Sequence, residues 1–358
     1  MAHIPHEIIH KILLRVPAKG LGRCSCVSRL WRSLISDPVF LKQHLCMSIA
    51  CQDVIDLHLI ATAHESRFYQ IPISPLLADN HGHSITGVVD ITPSDEDCSI
   101  VGCCRGLICF ETDQLKLVVI NPLTRKIRTL PTVGFWKRAY RGSIHRIVYG
   151  FGYDSVNDDY KVVGVCSRQV EVYSFREDSW RMLGQIPYEL QICQGLYVSS
   201  VGALAWLTES KSVTDSEIVA IDLASEKWIQ VSPLSGAEVQ FDGLYELLLG
   251  EIGGCFCLFE HFGGSHLEIW VMKEFGVPES WAHMAGVPYT GRLRGRLSGG
   301  REYFEPVWRS KDGELILMCE SALVVYNLTS ETHRYPVVTN LRLTGQAMVH
   351  MESLVSPC

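Results

Sequence analysis

The sequence predicts an α+β multidomain protein with a small all-α domain over residues 1–45, followed by an all-β region over residues 46–358. Three observations support this fold class. Apolar residues recur at helical spacing in the first forty residues, the pattern then changes to short apolar strands with polar turns, and a strand–turn–strand unit recurs about every fifty residues. At 358 residues, the chain is long enough to bury a substantial core.

The first helix is predicted from an apolar stripe close to the N-terminus. Pro5 suits a first helical turn, and Val16-Pro17 ends the helix because the residue before a proline is pushed out of the α region. The predicted helix therefore spans about Pro5 to Arg15. Its stripe consists of Ile8, Ile9, Ile12, Leu13 and Val16.

A second helix is predicted after the short segment AKGLGRC, which has room for only one or two turns. Ser28 is a candidate N-cap, and Asp37-Pro38 is a stop signal. The apolar residues of this helix follow i, i+3, i+4, i+7 and i+8 spacing. They are Val27, Leu30, Trp31, Leu34 and Ile35.

The N-terminal segments Ile4-Pro5, EIIHKILLRVP and CVSRLWRSLISDP resemble the F-box, the motif that docks substrate receptors onto the Skp-type adaptor of Skp–cullin–F-box ubiquitin ligases. Gly20, Gly22 and Cys24 depart from the residues usual in that family, and a helical hairpin that merely caps the body is the alternative. The resemblance implies a set of residues that form the motif's core and adaptor-facing surface, which spacing does not separate. The set is Ile4, Pro5, Ile8, Ile12, Leu13, Val16, Pro17, Leu21, Val27 and Trp31.

The body contains five strand–turn–strand segments, which begin at Leu117, Val170, Ile218, Leu267 and Leu323. Their equivalent turn positions, Asn121, Ser174, Asp222, Val271 and Asn327, are spaced by 48 to 56 residues. This period is typical of four-stranded propeller blades of the kelch type. An apolar partner strand precedes each segment.

A sixth blade is predicted from VIDLHLIAT and RFYQIPI, and GQAMVHMESLV is expected to return as the strand that closes the propeller. We therefore expect six blades, with seven as the alternative. The segments GLICF, VVINPLTRKIRTLP, YGFGYDSVNDDYKVVGV, VEVYSFREDSWRML and the terminal ESLV resemble the F-box-associated, kelch-like region of plant F-box proteins.

Composition limits the classes of function. The net charge of −7 argues against a nucleic-acid binder, and the longest uncharged run, residues 190–208, is explained better by two strands and a turn than by a membrane helix. The fourteen cysteines, without an export signal, are expected to be reduced thiols inside the cell. Close Cys and His pairs lack the spacing of zinc ligands, so we expect no metal and no cofactor.

Charge is distributed unevenly along the chain. Residues 1–45 hold seven basic and two acidic residues, a net charge of +5, whereas the remainder holds 25 basic and 37 acidic residues, a net charge of −12. This asymmetry predicts an acidic docking partner for the head, with solvated helix faces as the alternative.

No catalytic motif is present in the sequence, and the acids of FGYDSVNDDYKVV are assigned to a turn rather than to catalysis. Two loops combine features of protein interfaces, with solvated loops as the alternative. We predict that they bind a protein substrate, and the basic one suits an acidic or phosphorylated partner. Their candidate residues are Phe135, Trp136, Lys137, Arg138 and Tyr140 in the first loop, and Arg292, Arg294 and Arg296 in the second.

The two resemblances imply a non-catalytic substrate-recognition subunit of a Skp–cullin–F-box ubiquitin ligase. Its expected partners are the Skp-type adaptor, cullin through that adaptor, and an unknown protein substrate. Its expected location is the cytoplasm, the nucleus or both. One alternative is an F-box scaffold that binds the adaptor without cullin. The other is a propeller enzyme whose helical head binds no adaptor.

Overall fold

The computed structural model describes residues 5–51, 56–63, 66–78, 85, 87–93, 97–132, 147–191, 193–209, 216–231, 245–262, 265–289, 304–319, 322–338, 341 and 343–358. The chain divides into two compact units. Unit 1 comprises Met1–Leu130, Val337–Leu341 and Ala347–Cys358, and unit 2 comprises Pro131–Pro336 and Arg342–Gln346.

Unit 1 begins with four helices, which we call the helical head. The Ser28 hydroxyl oxygen accepts a hydrogen bond from the Trp31 backbone N–H at 3.1 Å, which confirms the predicted N-cap. The fourth helix was not expected from the sequence, because Asp37-Pro38 was interpreted only as a stop. Pro38 instead occupies the first position of that helix, where a missing N–H has no cost. The helices are α1 (His6–Leu13), α2 (Ala18–Cys24), α3 (Arg29–Ile35) and α4 (Pro38–Cys51).

A small apolar core holds the head together. Leu13, Leu21, Ile35 and Phe40 contribute one buried side chain from each helix. The predicted domain boundary between residues 45 and 46 falls inside α4, so the helical region continues to Cys51.

Unit 1 also contains most of blade I and all of blade II. Blade I has the strand order β24-β1-β2-β3, so the last strand of the chain lies beside the first. This arrangement confirms the predicted return of the C-terminal strand. The strands are β1 (Leu57–Ala63), β2 (Arg67–Pro72), β3 (Val89–Asp90) and β24 (Leu343–Met351), then in blade II β4 (Cys98–Cys104), β5 (Leu107–Thr112), β6 (Leu117–Asn121) and β7 (Lys126–Thr129); a short helix, α5 (Ile73–Leu77), follows β2.

Unit 2 contains blades III to VI, each with four strands in sheet order. The five predicted strand–turn–strand segments, one in blade II and one in each of blades III to VI, all have the expected structure. The strands are β8 (Val148–Asp154), β9 (Asp159–Cys166), β10 (Gln169–Ser174) and β11 (Ser179–Gln185); β12 (Leu196–Val198), β13 (Ala203–Leu207), β14 (Ile218–Asp222) and β15 (Trp228–Val231); β16 (Tyr245–Ile252), β17 (Cys255–Phe262), β18 (His266–Met272) and β19 (Trp281–Pro288); and β20 (Phe304–Arg309), β21 (Glu314–Cys319), β22 (Ala322–Asn327) and β23 (Thr332–Arg334).

The fold is therefore a short helical region followed by a six-bladed all-β propeller. Consecutive blades within each unit share an apolar core, because strand residues of one blade pack on the next. In unit 1, Phe68 of blade I and Phe110 of blade II lie in one cluster, with ring centroids 4.8 Å apart. In unit 2, Trp206 of blade IV belongs to the core that it shares with blade III.

The turn after the third strand repeats from blade to blade. The side-chain oxygens of Asn121 and Asn327 each accept two backbone N–H groups at 2.9 and 3.0 Å. Asp222 and Ser174 occupy the same position and also cap their turns. In blade V the position belongs to Met272, one residue beyond the predicted Val271. Four residues later the backbone is left-handed in all five turns, at Arg125, Asp178, Glu226, Gly276 and Glu331.

The cysteines and the longest uncharged run of the sequence were both subjects of prediction. All fourteen cysteines are free. The run over residues 190–208 contains β12 and β13 joined by a turn, as predicted. No helix within the described ranges has the length and apolarity needed to span a membrane.

Candidate functional site

Helix α1 has two apolar sides with different surroundings. Leu13 is 1% exposed in the core of the head, and Ile9 packs against that core. Ile8 and Ile12, one turn apart, are 45% and 52% exposed on another side of the helix. The inner side therefore stabilises the head, whereas the outer side is available to a partner.

The start of α3 exposes a second pair of apolar side chains. Val27 precedes the Ser28 cap and is 66% exposed, and Leu30 is 44% exposed. A hydrophobic residue at this position often packs on the fifth residue after it, but that residue is Arg32. The helix itself therefore does not cover Val27.

Val39, in the first turn of α4, is 64% exposed. We call Ile8, Ile12, Val27, Leu30 and Val39 the exposed apolar set. These five are among the thirteen large apolar side chains that are exposed in the described part of the chain, although the head provides only residues 5–51 of it. Concentrated apolar exposure of this kind is typical of a protein-binding surface.

Basic residues accompany the exposed apolar set. All seven Lys and Arg side chains of the head are exposed, and Arg32 Nε donates to the Ser25 carbonyl oxygen at 3.3 Å. Apolar contact with flanking positive charge suits a partner that has an apolar groove and an acidic rim. The seven are Lys11, Arg15, Lys19, Arg23, Arg29, Arg32 and Lys42.

The structure divides the predicted adaptor-binding residues into groups. Ile4 lies outside the described residues. Leu13 and Leu21 are buried in the core and have no surface for a partner, while Val16 and Trp31 are partly buried against that core. The exposed members of the predicted set are Pro5, Ile8, Ile12, Pro17 and Val27.

Two exposed apolar residues were absent from the predicted set. Leu30 was assigned to the same stripe as the partly buried Trp31 and Leu34, and spacing alone does not distinguish them. Val39 lies beyond the predicted stop, in a helix that was not predicted from the sequence. The sequence does contain a signal for this helix, because Asp is a preferred N-cap and Pro a preferred first helical residue, and in the structure Asp37 Oδ1 accepts the Val39 N–H at 2.7 Å.

The predicted substrate-binding residues lie outside the described residues. They are Phe135, Trp136, Lys137, Arg138, Tyr140, Arg292, Arg294 and Arg296.

The carboxylates of Asp154, at the end of β8, and of Asp159, at the start of β9, have structural roles. Asp154 Oδ1 accepts the backbone N–H groups of Val156 and Asn157, both at 3.0 Å. Asp159 accepts the Ser174 hydroxyl at 2.6 Å and the Arg176 N–H at 2.9 Å. These bonds are turn and strand contacts, as predicted from the sequence.

A buried ionic cluster lies between blades III and IV in unit 2. Lys161 Nζ is 2.9 Å from both Asp154 Oδ2 and Glu226 Oε1, and it donates to the Leu223 carbonyl oxygen at 2.5 Å. Burial acts to raise the pKa values of Asp154 and Glu226, but hydrogen bonds outweigh it and hold both pKa values below normal. The cluster therefore stays charged, and its ion pairs join the two blades.

In the described residues, burial shifts the pKa values of a cysteine and a histidine so that both side chains are neutral near pH 7. Burial raises the pKa of Cys257 to about 12, so its thiolate is scarce near neutral pH. Burial lowers the pKa of His350 to about 4. Within the residues that the structure describes, no three or more Cys, His, Asp or Glu side chains are arranged to hold a metal ion.

Comparisons with known proteins agree with both parts of the chain. An F-box-like family model matches residues 1–48, and the model of the F-box associated beta propeller domain matches residues 59–300. An F-box/kelch-repeat protein of Arabidopsis thaliana is 27% identical over 374 residues, which cover 99% of this chain and 96% of that protein. The F-box protein CPR1 of Arabidopsis thaliana is 27% identical over 387 residues, covering 100% and 90%.

Solved structures are more distant. An oligogalacturonate lyase in complex with manganese aligns with a TM-score of 0.45 and 8% identity, over 80% of this chain and 79% of that chain. A likeness at this level has no bearing on function.

Proposed function

Because the chain belongs to the family that joins an F-box-like domain to an F-box associated β-propeller, we propose that it is the substrate-recognition subunit of a Skp–cullin–F-box ubiquitin ligase. The helical head docks on a Skp-type adaptor, and the propeller captures a protein substrate. The exposed apolar set is the observation that supports docking best, because water-exposed Ile, Val and Leu side chains gain free energy when a partner covers them.

In this role the chain catalyses no bond change itself. It raises the effective concentration of substrate lysines near an activated ubiquitin that another subunit holds. The aromatic and basic residues predicted between 135 and 140, and the arginines at 292, 294 and 296, supply the chemistry for an acidic or phosphorylated protein substrate. Adaptor and substrate meet in the cytoplasm, the nucleus or both.

A non-ligase scaffold is the second candidate function. It shares the adaptor contact, and the same exposed apolar set supports it. The two candidates differ in whether cullin joins the complex, so purification of the intact chain with its partners distinguishes them. Adaptor with cullin and a ubiquitinated client supports the ligase subunit, whereas adaptor without cullin supports the scaffold.

The docking surface is tested with charge substitutions on exposed apolar residues. Ile12→Asp and Leu30→Asp, each in the full chain, are expected to weaken binding to a purified Skp-type adaptor by at least about tenfold, equivalent to about 1.4 kcal/mol. Val156→Asp is the matched control, because Val156 is an exposed turn residue of unit 2. Trp31→Ala is less suitable, since Trp31 packs against the head's own core.

Affinity is measured by titration calorimetry, and circular dichroism confirms that each variant is folded. Adaptor binding that is unchanged by both head variants would show that the exposed apolar set is not the docking surface. Absence of any adaptor binding by the intact chain would remove the proposed function altogether.

A further inference from the structure

The last seven residues, Glu352 to Cys358, follow β24 and lie along blade II within unit 1. We call them the C-terminal segment. Asn121 Nδ2 donates to the Ser353 and Val355 carbonyl oxygens at 2.9 and 2.7 Å. Arg128 Nη1 donates to the Pro357 carbonyl oxygen at 3.1 Å. The segment therefore follows β6 and β7, with its backbone carbonyls held by side chains of that blade.

Blade I and the β4–β5 turn hold the start of the segment. The Glu352 N–H donates to the Asp56 carbonyl oxygen at 2.9 Å, and Glu352 Oε1 accepts from Gln70 Nε2 at 3.1 Å. Ser353 is buried so closely against Gly106 that a Cβ there would overlap its side chain. This close approach fixes the backbone just before Leu354.

Leu354 joins the segment to the helical head. Its side chain packs against the head core, which contains Leu13, Leu21, Ile35 and Phe40. A residue more than 300 positions away in the sequence thus packs, partly buried, on the interior of the small N-terminal helical region. Leu13 lies on α1, the helix whose outer side presents Ile8 and Ile12, so the core that Leu354 contacts also sets the position of that outer side.

We propose that Leu354 and Asn121 are positioning residues for adaptor binding. Asn121 anchors the C-terminal segment, the segment places Leu354 in the head core, and the filled core holds the outer side of α1 in its binding arrangement. This inference rests on the proposed function for its adaptor-binding readout. It assigns a role in docking to residues outside the F-box-like domain.

Asn121→Asp separates the two functions of the asparagine. The aspartate retains the oxygen that caps the turn, as Asp222 does in blade IV at 2.6 Å from the Ser225 nitrogen. It loses the Nδ2 donor and places a carboxylate against the carbonyl oxygens of Ser353 and Val355. Asn327→Asp is the matched control, because Asn327 caps the equivalent turn of blade VI through its oxygen.

Leu354→Ala tests the packing directly, and Leu354→Met tests rescue by a side chain of similar volume. Val355→Ala is the control within the same segment. We expect Asn121→Asp and Leu354→Ala to weaken adaptor affinity of the full chain at least about tenfold, equivalent to about 1.4 kcal/mol. The controls and Leu354→Met should stay within about threefold of the parent chain.

Hydrogen exchange provides a second readout that does not depend on the adaptor. In Asn121→Asp and Leu354→Ala, amides of α1 to α4 should exchange faster, whereas amides of blades III to VI should keep the parent rates. Rescue of both affinity and exchange by Leu354→Met would establish a positioning role. General unfolding would instead raise exchange in every blade, which would overturn the proposal.

The outcomes separate this inference from the proposed function. If the parent chain binds adaptor and both variants bind equally well, the positioning role is wrong and the proposed function stands. If the parent chain binds no adaptor, the proposed function is wrong. In that case exchange alone decides whether the segment holds the head, and unchanged exchange in α1 to α4 would reject that too.

Discussion

Two glycines in α2 have different surroundings. A Cβ added at Gly20 would lie 2.8 Å from Cγ1 of Val16, whereas a Cβ added at Gly22 would meet nothing within 4 Å. Both glycines depart from the residues usual in F-box helices, but only Gly20 has a packing reason for the departure. The close approach of α2 to Val16 favours a residue without a side chain at position 20.

Gly22→Ala is therefore expected to stabilise the head by about 0.5–1 kcal/mol, the usual difference between the two residues inside a helix. Gly20→Ala should stabilise the head by less than this, or destabilise it, because Val16 must move. Hydrogen exchange of the α2 amides measures the difference, and Gly22→Ala should slow it about 2- to 5-fold. Equal slowing by both substitutions would contradict the packing argument.

His350 gives the protein a pH-dependent stability. Burial, with a smaller contribution from the nearby His58, lowers the pKa of the folded-state imidazole from its ordinary value of about 6.5 to about 4. As pH falls below about 6.5, the unfolded chain takes up a proton that the folded chain refuses until about pH 4. The contribution of the neutral, buried His350 to the unfolding free energy is therefore complete above pH 6.5 and is lost as pH falls toward 4.

Between about pH 7.5 and about pH 5, the parent chain should lose about 2 kcal/mol more unfolding free energy than His350→Phe. The comparison between variants is needed because burial raises the pKa of Glu305 to about 7, which has the opposite effect on stability. Urea titrations at both pH values measure the difference. His6→Phe, at an exposed position, is the control, and equal losses in the parent chain and His350→Phe would refute the assignment.

Among the elements, the ionic cluster between β8, β9 and the turn after β14 connects two blades of unit 2. Lys161→Met leaves Asp154 and Glu226 facing each other without their shared cation. Because the Asp154 side chain is fully buried, we expect a loss of about 3–5 kcal/mol in unfolding free energy. Arg181→Met removes a half-exposed cation from the same Glu226 and should cost less than about 1 kcal/mol.

Urea denaturation measures both variants. Similar losses for Lys161→Met and Arg181→Met would mean that burial does not determine the strength of the cluster.

The strands were predictable because each repeat carries its own local signals. Asn121, Asp222 and Asn327 mark the ends of third strands, where an apolar run gives way to a capped turn. Blade V was misaligned by one residue because Met272 has no such side-chain oxygen. Helix α4 was missed because a proline both ends one helix and begins the next, and sequence alone does not say which applies.

The candidate site was only partly predictable. Ile8 and Ile12 form one apolar pair on α1, and Ile9 and Leu13 form another, with the same spacing. Which pair is buried depends on where α2 to α4 and Leu354 pack, and those contacts are not local. The contribution of Leu354 had no sequence signal beyond the resemblance of ESLV to the terminal segment of related proteins.

At the scale of the whole molecule, charge is separated between the basic head and the acidic remainder. For the proposed docking, an acidic adaptor surface would attract the basic head and accelerate encounter, and salt would screen this attraction. Raising NaCl from about 50 mM to about 500 mM should slow adaptor association several-fold while changing dissociation little. Stopped-flow kinetics measures both rates.

Arg23→Gln with Arg29→Gln should reduce the salt dependence of association. An association rate that does not respond to salt would assign the basic side chains of the head to solvation alone.

The shared sheet of β1 and β24 has a consequence for how the protein is made. The ribosome adds Leu343 roughly 15 to 60 s after Leu57 at ordinary elongation rates, and the C-terminal segment follows Leu343. Until then blade I lacks its partner strand, and the head lacks Leu354. If the proposed function and the positioning role of Leu354 hold, a prematurely terminated chain carries the F-box sequence without the segment that positions α1, and it should compete poorly with finished chains for adaptor.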